Sequence, residues 1–545
     1  MISSSIAFFI LFLTLVFFAW LGSRESAGKR LDNDEFLSAR GSQSWIMIGL
    51  SLFASGMGIW ILFGPSEVGY YGGFYDVMGY ALSSATPFLL LAYLGPLIRK
   101  LTPEGITLGD YVRQRMGRTM QIYVGVISII YMFTFMFAEY IAIGKAVEFL
   151  SGVDFLVPII YVAIVTTFYT VIGGLPVSIK TDRIQSFFII WLILCIILLI
   201  FGEGVESTFA DAKAYNPEDA WSIGSISDYS TFKAGLALVL AITAAEMFSQ
   251  GNWQRIRASE SDDSLRKGAI LASVLCFIAV LLFGFLGTVA AGRGALVDPS
   301  IAFFELIRDY PEPILAMFLV LGIALVCSSI DTLQNAVVAV VSRDLTDSKL
   351  DLRGARYAAI CMAPIAILLA WYYADDAPSV FQIYLIADLF AAATVLPIFL
   401  SLSDRITSTG SLVGAIFGLI SVVIYGTITS DLQIGIDYLT NPTNEFGLAN
   451  FEVFSSALFG SAIMTIIVSE VENSQKLSEI EKQIDSTTVI LLYILSFFIP
   501  LAGFIVGAIY ASKDEEHYKR VGKNCLIFSV INIIIGFIML AVFFA

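Results

Sequence analysis

The sequence predicts an all-α polytopic membrane protein. Three observations carry this. Of 545 residues, 57% are hydrophobic and only 14% charged, and the mean hydropathy is +0.83; a water-soluble chain of this length has too little interior to hide so much apolar side chain. Runs such as ISSSIAFFILFLTLVFFAWLG (2–22) and SFFIIWLILCIILLI (186–200) are long enough, or nearly so, to cross a hydrocarbon core of roughly 30 Å. Such runs recur along the whole chain, and unbroken backbone pairing within each segment is what a helix gives in lipid.

The spans in order are 2–22, 43–68, 72–98, 120–149, 153–173, 183–205, 230–250, 268–291, 313–342, 356–374, 378–401, 409–428 and 452–470. A charged linker (471–487) and a hairpin (488–511, 523–544) follow. This amounts to about 13 core helices and a C-terminal two-helix hairpin. The first run has no basic flank before it and no small-residue cleavage site after it, so it reads as a span and not as a cleavable signal. Basic residues set the orientation. Arg24, Lys29, Arg30 and Arg40 sit in loop 23–42, and Arg99, Lys100, Arg113, Arg115 and Arg118 in loop 99–119. Arg255, Arg257, Arg266 and Lys267 sit in loop 251–267, and Arg343, Lys349 and Arg353 in loop 343–355. These loops share one side, the cytoplasmic one, which leaves the N-terminus outside. Loops 203–229 and 428–451 face outward and are acidic. Counting crossings puts Lys513, Lys519 and Arg520 outside as well, so either one span is misplaced or the last hairpin does not cross simply.

Several chemistries are excluded. His517 is the only histidine, in a charged loop, and HExxH, Walker A and GxSxG patterns are absent, which removes the usual hydrolases, metalloproteases and nucleotide hydrolases. The cysteines Cys195, Cys276, Cys327, Cys361 and Cys525 lie in or beside apolar runs, without metal-like spacing. The net charge of −15 falls largely in outward loops and signals no nucleic-acid partner. A small solute and membrane lipid are the expected partners.

Two spans are interrupted. The stretch 43–68 contains Gly56, Gly58, Gly64 and Pro65, and 230–250 ends in AAEMFSQGNWQR. Irregular backbone at membrane depth survives only where it is buried in protein or lines a cavity. Interrupted helices at matching positions of two halves mark inverted repeats around a midplane site. Here each opens a group of five spans, and an odd number per group forces inversion; the alternative is a pair of ordinary glycine-kinked helices. The divisions that follow are an N-terminal helix and loop (1–42), a first repeat (43–205), a second repeat (206–401), peripheral helices (402–470), the linker (471–487) and the hairpin (488–545).

The polar run CSSIDTLQNA (327–336) enters an apolar helix. On a helix Ser328, Asp331 and Thr332 share a face, with Ser329 adjacent and the Leu325 carbonyl one turn earlier. Hydroxyls and carbonyls are hard oxygen donors that suit a dehydrated alkali cation and not zinc or copper. An unpaired carboxylate there would cost roughly 2.5–3.5 kcal/mol, so Asp331 needs a partner or a cavity. The alternative is that the hydroxyls bond back to the preceding turn while Asp331 caps a neighbour. A second cluster, YTVIGGLPVSIKTDRIQ (169–185), reads as a chain break at Gly173–Gly174 with Asp182 opening the next helix, where the helix dipole favours an acid.

Together with NDEFLSARG (33–41), LFASGMGIWILFG (52–64) and NWQRIRASES (252–261), these motifs appear in the order and spacing of the sodium:solute symporters, which the chain resembles over residues 1–470. The resemblance implies the leucine-transporter (LeuT) fold with five-plus-five inverted repeats. It also implies a sodium site built from the backbone carbonyls of Ala54, Met57 and Leu325 and the hydroxyls of Ser328 and Ser329, with Na+ as the coupling ion. A second cation site would use Asp182, Asp331 and Thr332. Proline-type members carry an acid where this chain has Gly56, so that acid's role is absent or supplied elsewhere. The first broken helix resembles the proline branch and SQGNWQRIRAS the urea branch.

The solute is expected beside both breaks, against Trp60, Gly64, Glu67 and Tyr70 from the first and Glu246, Phe248 and Gln250 from the second; core packing is the alternative for the aromatics. Glu139, Glu246 and Asp388 are acids inside apolar spans that require partners. For each of the three, a structural pairing with Lys145 or a backbone amide is as good a candidate as a solute. The function that results is sodium-coupled symport of a small organic solute, proline, another amino acid or urea, across the cell membrane by alternating access. Proton coupling, a solute sensor signalling through the C-terminal hairpin, and a channel are the alternatives. No nucleophile, base pair or metal set supports an enzyme.

Overall fold

The computed structural model describes residues 1–26, 33–215, 233–347, 352–373, 379–481, 486–498, 500–512 and 516–544. Lys29, Arg30, Lys349 and Lys513, residues 216–229 of the acidic loop and 482–485 of the linker lie outside them. Among the described residues the regular structure is helical, and two isolated bridges, Gln43–Ser259 and Thr443–Ala449, are the only β-type pairings. Nine of these helices are long and apolar enough to cross a membrane, or ten with one bent pair taken as a single span.

The first broken span is a half-helix, Trp45–Gly56, then Met57 and Gly58, then a 3-10 turn Ile59–Leu62 that leads into Gly64–Leu101. That last helix turns at Gly73 (φ 75°), in the left-handed region that favours glycine. Gly58 is required by close approach: a Cβ there would lie 2.2 Å from the Glu139 carboxylate. The second broken span is Lys233–Glu246 and Gln250–Ala258, bent by 59° across Met247–Ser249. Small residues let the long helices approach backbone to backbone, as membrane helices do without a hydrophobic drive. Gly69 meets the Gly284 carbonyl, and Gly287 that of Ser66, across the helices Gly64–Leu101 and Asp262–Arg293.

Three boundaries differ from the sequence reading. The break expected at Gly173–Gly174 is present, two helices meeting at Gly174 (φ 56°) within Leu156–Glu203, but residues 175–182 are helical and not a loop. Asp182 is therefore no helix-opening acid at a loop mouth; it is fully buried two turns past the kink. Residues 251–258 are the second half of a broken span, every one of them buried. Arg255 and Arg257, counted above as basic loop residues, are thus interior: Arg257 donates to the Thr102 carbonyl at 2.7 Å and to the Thr102 hydroxyl at 2.7 Å. The charged segment after 470 is not a linker at its start, since the helix Phe451–Glu481 runs through it; Glu, Gln and Lys are good helix formers.

The chain divides into two compact units, 1–226 with 231–392 and 422–455, and 227–230 with 393–421 and 456–545. Both breaks and the serine-bearing helix Glu312–Val340 belong to the first. The second contains the C-terminal helices Ser486–Phe498, Pro500–Ala511 and Glu516–Phe544. There the Asn524 amide donates to Glu470 (2.7 Å) and to the Tyr493 hydroxyl (3.0 Å), a satisfied polar group inside an apolar bundle.

Candidate ion and solute site

The two breaks meet at one small cavity. Ser55, Gly56 and Trp60 line it from the first break, and Glu246, Ser249 and Asn252 from the second. Tyr131, Phe135 and Glu139 come from the helix Arg118–Ser151, and Ser329, Thr332 and Leu333 from Glu312–Val340. The first half-helix ends here, so its last carbonyls lose their helical partners. Met57 N–H reaches both Phe53 O (3.0 Å) and Ala54 O (3.3 Å), which leaves acceptor capacity at the negative end of a helix dipole.

The serine hydroxyls show how this oxygen set can face a cation. Ser328 Oγ donates to Asp182 Oδ1 at 2.9 Å, and Ser329 Oγ donates to Glu139 Oε2 at 2.6 Å. A hydroxyl has one hydrogen and two lone pairs, so each oxygen keeps lone pairs for an ion; the Ser329 hydroxyl also lies within reach of its own preceding turn, 3.3 Å from Leu325 O and 3.2 Å from Val326 O, alongside its shorter bond to Glu139. Ala54, Met57, Leu325, Ser328 and Ser329 are all buried, so an ion bound among them would be stripped of water.

Glu139 is the node of the site. Its Oε2 also accepts Ile59 N–H at 2.9 Å, while Oε1 accepts Trp60 N–H at 3.2 Å and the Tyr384 hydroxyl at 3.1 Å. The carboxylate thereby sits on the positive start of the helix that resumes after the first break. Of the candidates offered by the sequence, its partners include backbone amides. Glu246, the last residue before the second break, accepts hydrogen bonds from the Tyr131 hydroxyl at 2.8 Å and from Asn252 Nδ2 at 2.9 Å. Asp388, 1% exposed in the helix Val380–Leu400, has an Oδ1 with no hydrogen-bond partner.

Beneath the serines lies a second polar cluster. Arg255 and Asp182 form an ion pair with both side chains wholly buried, Nη2 to Oδ2 at 2.7 Å. The same guanidinium donates from Nε to Ser51 Oγ (2.7 Å) and from Nη2 to Thr332 Oγ1 (2.8 Å). Asp331 accepts Ser178 Oγ at 2.8 Å and Thr181 Oγ1 at 3.4 Å. Asp182, Asp331 and Thr332 are thus brought together, with a protein cation between Asp182 and Thr332. Sequence reading missed Arg255 because it counted the residue in a loop.

Of the expected solute contacts, Trp60 and Glu246 line the cavity. Trp60 stacks on Tyr80 (centroids 5.9 Å apart, 20° between planes). The others lie elsewhere. Gly64 packs beneath the Tyr80 hydroxyl, 2.8 Å from where a Cβ would stand. Glu67 accepts Ser379 Oγ at 2.6 Å, and the Tyr70 hydroxyl accepts Leu296 N–H at 2.9 Å. Phe248 is fully buried at the bend, and Gln250 bridges Leu108 N–H (2.9 Å) and Ser128 Oγ (2.9 Å). Tyr131, Phe135, Ser249 and Asn252 were not anticipated. Asn252 carried a signal, a polar residue within a motif beside a break; the aromatics on Arg118–Ser151 carried none.

The comparisons agree with this architecture. Residues 36–418 match the sodium:solute symporter family model. The chain is 32% identical over 427 residues to a spermidine transporter, DUR31, of Candida albicans, covering 76% of this chain and 78% of that protein. It is 24% identical over 455 residues to sodium/proline symporter 2 of Staphylococcus saprophyticus, covering 76% and 84%. Among solved structures, a Na+-coupled sialic acid symporter in a substrate-bound outward-open state superposes with TM-score 0.71 at 17% identity, over 85% of this chain and 97% of that one. That likeness shows the fold: an all-helical transporter of the leucine-transporter type, with inverted five-helix repeats. The chain is a multi-pass membrane transporter, not an enzyme, and it belongs to the sodium:solute symporter family.

Proposed function

We propose that the protein couples inward movement of Na+ to uptake of a small nitrogenous solute by alternating access. One observation carries the reading: the hydroxyls of Ser328 and Ser329 donate to Asp182 and Glu139, so that lone pairs on the two oxygens stay available to a cation. Sodium would be held by those oxygens and by the carbonyls of Ala54, Met57 and Leu325. It would thereby tie Trp45–Gly56 to Glu312–Val340 and pre-order the break against which the solute binds. Coupling is then reciprocal: sodium raises solute affinity and solute raises sodium affinity. Loss of sodium on the low-sodium side releases both.

At the second cation site we propose that Arg255 is the resident cation beside Asp182 and Thr332, so that one sodium moves per cycle. Asp331, surrounded by hydroxyls, is the residue through which a proton-coupled variant of the cycle would run. For the solute, relatives named for spermidine and for proline, together with the motif resemblance to urea carriers, point to a nitrogen-bearing molecule that fits beside Trp60 and Glu246.

The test is uptake into proteoliposomes of labelled spermidine, proline, urea and a hexose, with and without an inward sodium gradient, beside the Ser328→Ala/Ser329→Ala protein. Sodium-driven accumulation of one solute, lost in the double variant at low sodium and partly regained at high sodium, is the expected result. Equal accumulation without sodium, indifferent to the serines, would remove the sodium site and leave Asp331 as the proton-coupling candidate.

A further inference from the structure

Where a membrane helix breaks and resumes, its exposed amides form the place at which carriers of this architecture can receive an anionic group of the solute. In this chain that place is taken. Ile59 N–H and Trp60 N–H, the first amides after the break, both donate to Glu139, a residue of a different helix. The fit is close: a Cβ at Gly58 would overlap the Glu139 carboxylate as it stands. Glu139 thus brings a carboxylate to this break from a facing helix.

The remaining charge at the cavity is also negative. Glu246 lines it with two hydrogen-bond donors, about half of what a carboxylate's roughly four lone-pair sites accept. Asp388, buried with an unpartnered oxygen, lies within electrostatic reach of Glu246. No lysine or arginine lines the cavity, whose other walls include the rings of Trp60, Tyr131 and Phe135. Aromatic faces attract cations, and a buried acid with spare acceptor capacity calls for a donor that brings positive charge.

We propose that Glu139 is the protein's own substitute for a solute carboxylate, so that the site accepts a carboxylate-free organic amine, held by Glu246, and rejects amino acids. This rests on the symport reading above and narrows its solute. It removes proline from the candidates and makes Glu139 a specificity-determining residue, distinct in role from Glu246, which would contact the amine.

Putrescine and ornithine test this directly, because they differ by a single carboxylate. Sodium-driven uptake of labelled putrescine and spermidine into proteoliposomes is measured against competition by ornithine, proline and urea. The unaltered protein is expected to accumulate at least one of the two amines and to ignore a hundredfold excess of ornithine or proline. Glu246→Gln should weaken amine uptake at least tenfold. Glu139→Ala, which frees the two amides, should shift the putrescine-to-ornithine preference toward ornithine at least tenfold. Should that variant prove too unstable for uptake, thermal unfolding in detergent gives a second readout: ornithine should raise its melting temperature and leave that of the unaltered protein unmoved. Sodium-driven uptake of proline or ornithine by the unaltered protein, or of urea with no amine competing, would overturn the assignment of Glu139 while leaving symport standing. No sodium-driven uptake of any of the five would overturn the symport reading itself.

Discussion

Glu139 and Glu246 stand at the two breaks of one cavity, yet they are built differently. Glu139 accepts four hydrogen bonds, two from backbone amides and two from the Ser329 and Tyr384 hydroxyls. Glu246 accepts two, from Tyr131 and Asn252. The first carboxylate is saturated and holds the break together; the second keeps acceptor capacity turned toward the cavity. In sequence they look alike, single acids in apolar spans. Counting donors on the folded protein is what separates the two acids. Asp182 extends the contrast, since it is saturated by a full counter-charge as well as by hydroxyls.

The largest effect should come from that third acid. Arg255→Met leaves Asp182 buried without its cation, and breaking one side of a buried ion pair costs about 3–5 kcal/mol. The expected outcome is a steep fall in melting temperature and in yield of monodisperse protein. A variant as stable as the parent would mean that Asp182 is not charge-balanced by Arg255. Next comes Glu139→Ala, which orphans two buried amides and two hydroxyls. Each unsatisfied buried group costs about 1–3 kcal/mol, so a loss of about 3 kcal/mol is expected after partial relaxation, read as a lowered denaturation midpoint. Glu139→Gln, which keeps one acceptor oxygen but sets an NH2 against the other amide, should recover only part of it.

Smaller changes sharpen the ion site. Ser328→Ala or Ser329→Ala removes one oxygen ligand, worth about 1.4 kcal/mol or a tenfold rise in the sodium concentration for half-maximal uptake. Ser329→Ala should also loosen Glu139, and so affect solute selectivity, which Ser328→Ala should not. Glu246→Gln completes the contrast. It should change stability by less than about 1 kcal/mol, because Asn252 can bond the amide oxygen and the Tyr131 hydroxyl can turn to accept from the amide nitrogen, while solute uptake falls. Equal destabilisation by Glu139→Gln and Glu246→Gln would erase the distinction between the two acids.

Much of the fold was legible because its signals are strong. Apolar runs give spans, and glycines and a proline at 56–65 give the first break. What misled was helix continuity. The Gly173–Gly174 pair does break the helix, at Gly174, but the next helix starts at once instead of after a loop, and Asp182 moved from a surface cap to a buried ion pair. Likewise NWQRIRA looked polar enough for a loop. Its arginines are buried because Asp182, Thr332 and the Thr102 backbone receive them, partners distant in sequence. The two candidate serines were readable, because they stand side by side in one polar run of an apolar helix. The aromatic wall of Tyr131 and Phe135 was not, because an aromatic stripe in a membrane helix carries no mark of which face meets a cavity.

The most direct test of the account is whether Na+ binds the serine site. Thermal unfolding of the purified protein would be followed with rising NaCl at constant ionic strength, KCl making up the balance, for the unaltered protein and for Ser328→Ala/Ser329→Ala. A ligand that binds only the folded state raises stability with its concentration. The account predicts a saturable rise in melting temperature specific to sodium, absent from the double variant at the same concentrations. An equal rise in both proteins, or none in either, would contradict it.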